Sequence, residues 1–233
     1  MHTSLSHFDW AATATQVTEQ GFAVLPSLLR AEECRRIASL YDEPHHFRSH
    51  VHMARHNFGK GEYKYFGDPL PSWLADLRAA LYGRLAPIAN EWAHRLRSES
   101  EFPATHADYL AQCRAAGQLR PTPLLLRYVA GDYNCLHQDL YGDLWFPLQV
   151  IVLLDAPGKD FDGGELLVVE QRPRAQSRGS VAPLQQGCAA VIAVNHRPRL
   201  GARGYSRVTL RHGVSTITRG RRHTLGVIFH DAA

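Results

Sequence analysis

The chain has 233 residues, of which 45% are hydrophobic and 21% are charged, a composition typical of a folded globular domain. It excludes a collagen-like, coiled-coil or largely disordered chain, and no apolar run reaches the roughly 18 residues of a membrane span. The four cysteines form no CxxC pair, so we expect reduced thiols. The first ten residues lack the basic flank and apolar stretch of a secretory signal, which predicts a cytoplasmic protein.

The N-terminal third is predicted to be helical with short strands. Asp9 caps an amphipathic stretch that ends at Gly21, and the segment 22–25 has the pattern of a strand. Pro87 is expected to kink or split a long helix. The other predicted elements are a helix near 31–41, a strand at 63–66, and that long helix, with apolar positions Leu74, Leu77, Leu81, Leu85, Ile88, Trp92 and Leu96.

From about residue 122 the hydrophobic period becomes that of strands. Turn signals such as Asp162-Gly163-Gly164 and Arg219-Gly220 separate short alternating segments. This pattern predicts an antiparallel sandwich or barrel. We therefore predict one α+β domain over 1–233, in which 1–121 form a mainly helical support and 122–233 a β core. The predicted strands are 124–129, 148–154, 165–170, 188–194, 207–210, 214–218 and 223–229.

Charge is unevenly distributed, although the net charge is only +4. From Gln171 to Arg222 there are eleven arginines and neither Asp nor Glu, whereas the remainder holds 15 basic and 22 acidic residues. Arginine forms planar, bidentate contacts with carboxylates and phosphates. The segment is therefore either a solvated basic face or a surface for anions, and composition leaves both interpretations open.

The motif His-x-Asp occurs three times. In His7-Phe8-Asp9 and His106-Ala107-Asp108 the aspartates lie at helix starts, where Asp9 serves as a cap and Asp108 forms a capping box with Thr105. Only His137 and Asp139 follow a strand pattern, and residues i and i+2 of an extended segment share a face. This pair is therefore the candidate for metal binding, with a surface loop as the alternative.

A third metal ligand is expected from a neighbouring strand, because two protein ligands hold an ion poorly. His196 lies in a strand-end turn, and His212 opens an alternating segment that turns at Gly220. His223 and His230 flank the last strand. The local pattern alone leaves these four histidines open.

The order and spacing of these residues carry a family resemblance. His137-Gln138-Asp139 is followed by His212 and, ten residues later, by Arg222-His223-Thr224. This arrangement resembles the signature of the 2-oxoglutarate- and iron(II)-dependent dioxygenases, and the segment 161–166 is similar to their turn between core strands. The resemblance covers about residues 122–231. It implies a double-stranded β-helix of the jelly-roll or cupin-like type, with the N-terminal helices packed against it.

The resemblance also implies a chemistry. His137, Asp139 and His212 would hold Fe(II), since two imidazoles and one carboxylate cover one face of an octahedral ion. The cosubstrates 2-oxoglutarate and O2 would use the remaining positions. The enzyme would hydroxylate or oxidatively demethylate its substrate with release of succinate and CO2.

The distal carboxylate of 2-oxoglutarate requires a fixed cation, and Arg222 would bind it bidentately. Thr224 shares a strand face with Arg222 and would add a hydroxyl, whereas Arg221 would point the other way. Tyr128 is a further candidate donor, with a core aromatic residue as the alternative.

A bacterial subfamily of these enzymes is similar over most of the chain. That group has been classed with predicted nucleic-acid-modifying oxygenases. The similar segments are Met53-Ala54-Arg55-His56, Gly61-Glu62-Tyr63-Lys64-Tyr65-Phe66, Arg127-Tyr128, Cys135-Leu136-His137-Gln138-Asp139-Leu140-Tyr141 and Glu170-Gln171-Arg172-Pro173-Arg174.

Other activities remain as alternatives. AlkB-type demethylases have Asn where Leu126 stands and a second Arg where Ile228 stands, whereas prolyl hydroxylases usually have Lys at Arg222. A peptidyl or small-molecule hydroxylase of the same superfamily is the first alternative. Outside the superfamily, the fold would suit a cupin-like metal-binding module, or a zinc hydrolase for which Glu165 is the only carboxylate in the strand pattern.

The acid-free segment predicts an anionic substrate, which would be a nucleotide, a nucleic acid or another anion, and no membrane partner. In a double-stranded β-helix this segment would lie near the mouth of the metal pocket, where a positive rim attracts anions. Tyr63 and Tyr65 would offer stacking faces to an unpaired base, although core packing is the commoner use of tyrosine. The other residues predicted to face the substrate are Gln171, Arg172, Arg174, Gln176 and Arg178.

Overall fold

A computed structural model describes residues 5–172 and 174–233, so residues 1–4 and Pro173 of the similar segments lie outside it. The helices α1 to α4 are Trp10–Gln20, Ala31–Ser39, Ser72–Arg95 and His106–Ala115. The strands β1 to β14 are Phe22–Leu25, Phe47–His52, Gly59–Lys60, Glu62–Phe66, Leu124–Val129, Tyr133–His137, Leu148–Leu153, Phe161–Gly163, Leu166–Gln171, Arg178–Ala182, Ala189–Ala193, His196–Gly201, Gly204–Val214 and Ile217–Val227.

Two helix starts form as the sequence predicts. A carboxylate oxygen of Asp9 accepts a hydrogen bond from the backbone N–H of Ala12 at 2.9 Å, and the Thr105 hydroxyl accepts one from the N–H of Asp108 at 3.2 Å. Each cap satisfies an N–H group that the first helical turn leaves without a partner. Asp9 is therefore confirmed as a capping residue. At α4 the predicted capping box forms only in its Thr105 half, because the Asp108 carboxylate accepts a hydrogen bond from the Thr105 hydroxyl at 2.6 Å and not from the Thr105 backbone N–H.

Helix α3 runs unbroken through Pro87, so the predicted split at this residue is wrong. The Pro87 ring is exposed, while Ala86 and Ile88 on either side are buried. Burial of a large apolar side chain contributes about 1.5–3 kcal/mol, so several such side chains together exceed the roughly 3 kcal/mol cost of the proline. The predicted apolar positions that are buried are Leu74, Leu77, Leu81, Leu85, Ile88 and Trp92.

The strands form two antiparallel sheets within the described part of the chain. The eight-stranded sheet has the order β1-β11-β7-β14-β5-β4-β2, with β8 paired to β14. The six-stranded sheet has the order β10-β9-β13-β6-β3, with β12 paired to β13. Residues of both sheets line one cavity, which is consistent with the predicted sandwich of short antiparallel strands.

Strand β14 corrects two of the predicted boundaries. It begins at Ile217 and continues through Gly220, where a turn was predicted, so the separate strand at 214–218 does not exist. Gly220 has φ +79°, and a Cβ there would lie 2.0 Å from the carbonyl oxygen of Asp160. The glycine therefore allows β14 to approach β8 closely within a strand, and a break in register between Ile217 and Arg219 accommodates it.

The first 121 residues supply strands as well as helices. Strand β1 pairs with β11 at one edge of the eight-stranded sheet, and β4 pairs with β5 toward the other edge. The division of the domain at residue 121 stays a prediction. None of the helices in the described residues is both long and apolar enough to cross a membrane.

Helix α3 is tied to the end of β14 through a buried arginine. Arg78 donates hydrogen bonds to the carbonyl oxygens of Ile228 at 2.7 Å and His230 at 3.1 Å, and to the Asp231 carboxylate at 2.8 Å. Burial without partners would make this guanidinium very costly, and these acceptors offset that cost. The contact fixes the segment that places Ile228 in the cavity wall.

Candidate active site

The sheet register brings the predicted metal ligands together. His137 ends β6 and lies directly opposite His212 on β13, and Asp139 follows two residues after His137. The Nε2 atom of His137 is 3.5 Å from one carboxylate oxygen of Asp139, and Nε2 of His212 is 3.3 Å from the other. One donor atom from each residue lies within 4.8 Å of the others. This is the only one of the three His/Asp/Glu clusters in the described residues with two buried members.

Burial and pairing set the charge states of this cluster. Burial would raise the pKa of Asp139, but its hydrogen bonds with His137 and His212 outweigh that effect and hold the pKa well below its usual range. Burial would lower the pKa of His137, but its interactions with Asp139 raise it. The pKa of His212 is lowered by burial and by the neighbouring His137. Asp139 is therefore an anion held between two imidazoles.

The surroundings of the cluster orient its donor atoms. Nδ1 of His137 lies 2.8 Å from the carbonyl oxygen of Cys135, which can only accept, so Nδ1 donates there and Nε2 is the ring nitrogen that faces Asp139. The Tyr141 hydroxyl donates to Asp139 at 2.7 Å, and the Gln149 amide donates to its other oxygen at 2.8 Å. Such outer contacts fix the direction of metal ligands.

The cluster fits a divalent transition metal. Two imidazoles and a carboxylate suit iron(II), and ligands at about 2.0–2.2 Å on one octahedral face are separated by about 3 Å. The observed separations of 3.3 and 3.5 Å require only small movements to reach that arrangement. Both the donor set and its spacing are therefore suited to iron(II).

A buried hydrogen-bond acceptor lies beside the Asp139 carboxylate. It is the amide carbonyl oxygen Oε1 of Gln149, which has no hydrogen-bond partner among the described residues. The amide nitrogen of the same side chain is also 3.1 Å from Nε2 of His212, so Gln149 contacts two members of the cluster. A buried acceptor without a partner costs about 1–3 kcal/mol, and a ligand in the cavity with a hydroxyl or N–H group would remove that cost.

Arg222 lies in the wall of the same cavity, on the opposite sheet. It is 1% exposed, and its Nε and Nη1 atoms have no hydrogen-bond partner among the described residues. Burial lowers the pKa of Arg222, because the charged form is desolvated. An anion in the cavity would supply the missing partner, and a planar guanidinium suits a carboxylate. Arg221, the adjacent arginine, is exposed.

Two further residues named from the sequence line the cavity beside Arg222. Tyr128 lies opposite Arg222 in the strand register, and the guanidinium carbon is 5.6 Å from the Tyr128 ring centroid. The Tyr128 hydroxyl accepts a hydrogen bond from the Asn134 amide at 3.3 Å, which leaves its own proton free to donate. Thr224 is two residues beyond Arg222 on β14 and also lines the cavity. These three side chains provide donors for one anionic ligand.

A glycine makes room for this arginine. Gly164, in the predicted turn after β8, has φ +67°, and a Cβ there would lie 2.9 Å from Cδ of Arg222 and 2.4 Å from Cδ1 of Ile217. The turn therefore requires glycine both for its backbone conformation and for the space that Arg222 occupies.

The cavity itself has a volume of about 190 Å³ and a mostly apolar lining. Leu126 and Ile228, the two positions that differ from AlkB-type demethylases, both belong to that lining. An apolar wall holds a planar or aliphatic group by dispersion and by exclusion of water. The other apolar and aromatic lining residues are Phe58, Tyr63, Leu124, Tyr141, Ile151, Leu166 and Val214.

The other histidines considered as third ligands lie in different environments. Nδ1 of His223 is 2.8 Å from the Asp155 carboxylate, and Nδ1 of His230 accepts a hydrogen bond from the N–H of Phe146 at 3.1 Å. His196 pairs with Thr209, which lies three residues before His212 on β13. Of the four candidates, the structure brings only His212 to His137 and Asp139.

Of the residues predicted to face the substrate, the structure places one in the cavity lining and the others outside it. Tyr63 lines the cavity, whereas Tyr65 is buried, with its ring 6.2 Å from Tyr141 and 4.6 Å from the Arg48 guanidinium. The polar residues occupy the connection from β9 to β10, outside the cavity lining. Arg172 forms an ion pair with Glu170, Gln171 bonds with Ser177, and Arg174, Gln176 and Arg178 are exposed.

Sequence reasoning missed Gln149 and Tyr141 as parts of the site. Gln149 is the one polar side chain in the apolar strand β7, and a buried polar residue in such a strand is a usable signal. Tyr141 lies two residues after Asp139, but the backbone there is neither helix nor strand. The direction of its side chain therefore does not follow from the spacing. Glu165, considered as a hydrolase base, bonds with Ser215 at an exposed turn and is not among the cavity-lining residues.

Similar solved structures define the fold. A prolyl-4-hydroxylase of Pseudomonas putida is 16% identical, with a TM-score of 0.58, over 96% of this chain and 100% of that one. A prolyl hydroxylase of Trichoplax adhaerens is 13% identical, with a TM-score of 0.59, over 95% and 89%. A 2OG-Fe(II) oxygenase family oxidoreductase of Burkholderia pseudomallei is 17% identical, with a TM-score of 0.53, over 97% and 94%. The fold is the double-stranded β-helix of these oxygenases, as predicted.

The sequence itself defines the family. Residues 61–232 match Oxygenase-NA, described as an oxygenase catalysing oxidative methylation of damaged DNA. Two uncharacterized proteins, from two strains of Mycobacterium tuberculosis, are each 51% identical over 168 residues, or 72% of this chain and 72% of the relative. The chain therefore belongs to the Oxygenase-NA family. The predicted class, a 2-oxoglutarate-dependent oxygenase that uses iron(II) and O2, is confirmed by the family, the fold and the His-Asp-His cluster.

Proposed function

We propose that this oxygenase binds iron(II) through His137, Asp139 and His212 and oxidises a base of damaged nucleic acid. The observation that carries the proposal is that this buried cluster shares one cavity with Arg222, whose Nε and Nη1 atoms have no partner among the described residues. Bound iron, 2-oxoglutarate and O2 together supply the oxidation, with release of succinate and CO2.

The side chains of the cavity would orient the cosubstrate. Arg222 would pair with the distal carboxylate, and the free protons of Tyr128 and Thr224 would donate to the same group. Gln149 and Tyr141 would keep both oxygens of Asp139 in place through their hydrogen bonds. The apolar lining would exclude water, so that these electrostatic contacts act in a low dielectric.

The proposed substrate class rests on three observations. The family is described by an action on damaged DNA. Tyr63 presents an aromatic ring to the cavity, and stacking of a base on such a ring contributes about 1–3 kcal/mol. Arg174 and Arg178, which are exposed at the connection from β9 to β10, would attract phosphates. A base that leaves the helical stack to reach the cavity is therefore the proposed target.

The position of the basic connection can be estimated from the sheet register. His212 lies opposite Val168, and Gln171 lies opposite Thr209, so the connection begins three residues along β13 from the metal cluster. Three residues of a strand span roughly 10 Å. That separation suits a phosphate flanking the target base, while the base itself enters the cavity.

The first experiment tests the cofactor site. Anaerobic addition of Fe(II) followed by 2-oxoglutarate should produce visible charge-transfer absorption in the wild-type protein. A cupin-like binding module without oxygenase activity would bind the metal but give no such absorption, and a hydrolase would show no dependence on the 2-oxo acid.

The second experiment tests the substrate class. We expect single-stranded DNA to bind at low salt and to weaken at high salt, because pairing with phosphates releases counterions. The salt dependence is the slope of the logarithm of the binding constant against the logarithm of the salt concentration. In the variant Arg172→Ala/Arg174→Ala/Arg178→Ala this slope should become shallower by about one unit for each phosphate that is no longer neutralised. The matched control is Arg35→Ala/Arg36→Ala/Arg84→Ala, which removes three exposed arginines from helices α2 and α3.

Turnover then separates nucleic acid from other substrates. Succinate formation should rise when single-stranded DNA with N-methylated bases is added, and formaldehyde should appear if the oxidised atom is an N-methyl carbon. Binding that is absent at low salt, or that is equal in the triple variant and the control, would favour the peptidyl or small-molecule hydroxylase.

A further inference from the structure

A second cluster of potential metal ligands lies on the β2–β4 hairpin, on the surface of the eight-stranded sheet. His50 and His52 alternate with Val51 on β2, so both point to the same exposed face. Glu62 on β4 lies directly opposite His52 in the strand register. The side chains of His50, His52 and Glu62 are 39%, 46% and 20% exposed, respectively.

The two imidazoles converge on one carboxylate oxygen. Nε2 of His50 is 2.5 Å from Oε2 of Glu62, and Nδ1 of His52 is 3.7 Å from the same atom. The two ring centroids are 4.4 Å apart. One donor atom from each residue lies within 4.8 Å of the others, a spacing that the buried His-Asp-His cluster also has.

An arginine holds the carboxylate in this orientation. Nε and Nη2 of Arg127 donate to Oε1 of Glu62 at 2.9 and 2.5 Å, which leaves Oε2 for the histidines. Arg127 also donates to Asp42 at 3.0 Å, so its charge is shared between two carboxylates. Lys64, the nearest other cation on β4, donates to the carbonyl oxygen of Tyr41 at 2.8 Å. Carboxylates held by outer contacts in this way are typical of metal ligands.

A simple ion pair accounts for only part of this geometry. His50 alone satisfies Oε2 of Glu62, and His52 at 3.7 Å is beyond hydrogen-bond distance. Two protonated imidazoles at this spacing would also repel each other. A divalent ion between neutral imidazoles uses both rings and the carboxylate together, because all three then act as electron-pair donors.

We propose that His50, His52 and Glu62 form a second metal site, which binds a divalent transition metal of the zinc type. Zinc takes imidazole nitrogen at about 2.0–2.1 Å and carboxylate oxygen at about 2.0–2.2 Å, so tetrahedral ligands are about 3.3 Å apart. The observed 2.5 and 3.7 Å separations bracket that value, and side-chain rotations reach it. The fourth position faces solvent and takes water.

Metal binding at this site would stabilise the pairing of β2 with β4 next to the cavity wall. Strand β2 is the last strand of its sheet and is held by β4. Val51 lies opposite Tyr63, and Tyr63 lines the cavity on the face away from the histidines. A metal that joins β2 to β4 would therefore stabilise the hairpin behind Tyr63, and its binding energy would appear as added stability of the folded protein.

The test measures zinc stoichiometry by equilibrium dialysis followed by elemental analysis. The full-length Asp139→Ala protein, in which the buried cluster is disabled, should bind one zinc ion per chain. The Asp139→Ala/His50→Gln and Asp139→Ala/His52→Gln proteins should bind at least tenfold more weakly. The matched control is Asp139→Ala/His46→Gln, which changes a histidine of the third cluster, Glu43-His45-His46, and should keep the ion.

Thermal unfolding with and without zinc provides an independent readout. Zinc should raise the melting temperature of Asp139→Ala and of the His46→Gln control, but not of either protein that lacks His50 or His52. Equal zinc affinity in the His50→Gln, His52→Gln and control proteins would overturn the proposal. Loss of the ion only in the His46→Gln control would overturn it as well. Circular dichroism of each variant without zinc checks that the fold is intact.

Discussion

Two clusters in this protein have the same kinds of ligand but different surroundings. His137, Asp139 and His212 combine two imidazoles with a carboxylate inside the cavity, whereas His50, His52 and Glu62 do so on the surface. Each has two ligands at positions i and i+2 of an extended segment and a third on the paired strand. The ligand set alone therefore does not decide what a cluster does.

The neighbouring arginines make the difference. Arg127 is engaged by Glu62 and Asp42, so this arginine is not free to pair with an anionic cosubstrate at the surface cluster. Arg222 is buried with two nitrogen atoms unpaired among the described residues, and it shares a cavity with the inner cluster. The comparison indicates that a site for oxidation needs burial and an unpaired cation in addition to metal ligands.

The largest effect is expected from removal of the Asp139 carboxylate. Asp139→Ala should abolish iron binding and succinate formation, because two imidazoles alone hold iron(II) poorly. Glu62→Ala should leave iron binding intact while it removes the surface ligand set. Anaerobic iron binding and succinate formation measure both, and thermal unfolding confirms that each protein is folded. Iron that is retained by Asp139→Ala but lost from a His196 or His223 variant would show that the ligand assignment is wrong.

Arg222→Ala is expected to have the next largest effect. It leaves the distal carboxylate of 2-oxoglutarate unpaired in a buried position, which should cost about 2–5 kcal/mol, or roughly 30-fold or more in affinity. Arg221→Ala is the matched control, because the adjacent guanidinium is exposed. Titration of the iron-loaded proteins with 2-oxoglutarate gives the dissociation constants. If Arg221→Ala weakened 2-oxoglutarate binding and Arg222→Ala did not, then Arg221 and not Arg222 would be the arginine that faces the cavity.

Gln149→Leu should have a smaller effect, confined to the inner cluster. Removal of the amide leaves one oxygen of Asp139 without its 2.8 Å donor, and comparable changes around metal ligands cost about 10–100-fold in affinity. Gln185→Leu, at an exposed glutamine, is the control. Competition against a metal chelator measures the change. Equal affinities in the two variants would mean that Gln149 only fills space.

The sequence could predict His137 and Asp139 because their signal is local, whereas His212 was singled out by the family resemblance and not by the local pattern. His137 and Asp139 are two residues apart on an extended segment, and the spacing from His212 to Arg222 fits a known order. Gln149 is a different case, since its role depends on the packing of β7 between β11 and β14. No spacing in the sequence relates it to Asp139.

The predicted fold class was correct, but the polar strands were missed. In β2 the exposed positions are Arg48, His50 and His52, and its inward positions are only half-buried, so the hydrophobic alternation is weak. Strand β14 was divided at Gly220 because glycine usually marks a turn, whereas here close contact with Asp160 requires it. Tertiary contacts decided both cases, and a pattern along the chain does not contain them.

The two halves of the proposed active site belong to different sheets. His137 and His212 lie on strands of the six-stranded sheet, and Arg222 lies on β14 of the eight-stranded sheet. On the proposed assignment, the distance between the two sheets determines which length of dicarboxylic acid can contact both the metal and Arg222. A diacid one methylene shorter or longer would reach either the metal or Arg222, but not both. Substitutions in the core between the sheets would change that selectivity without altering the metal ligands or Arg222.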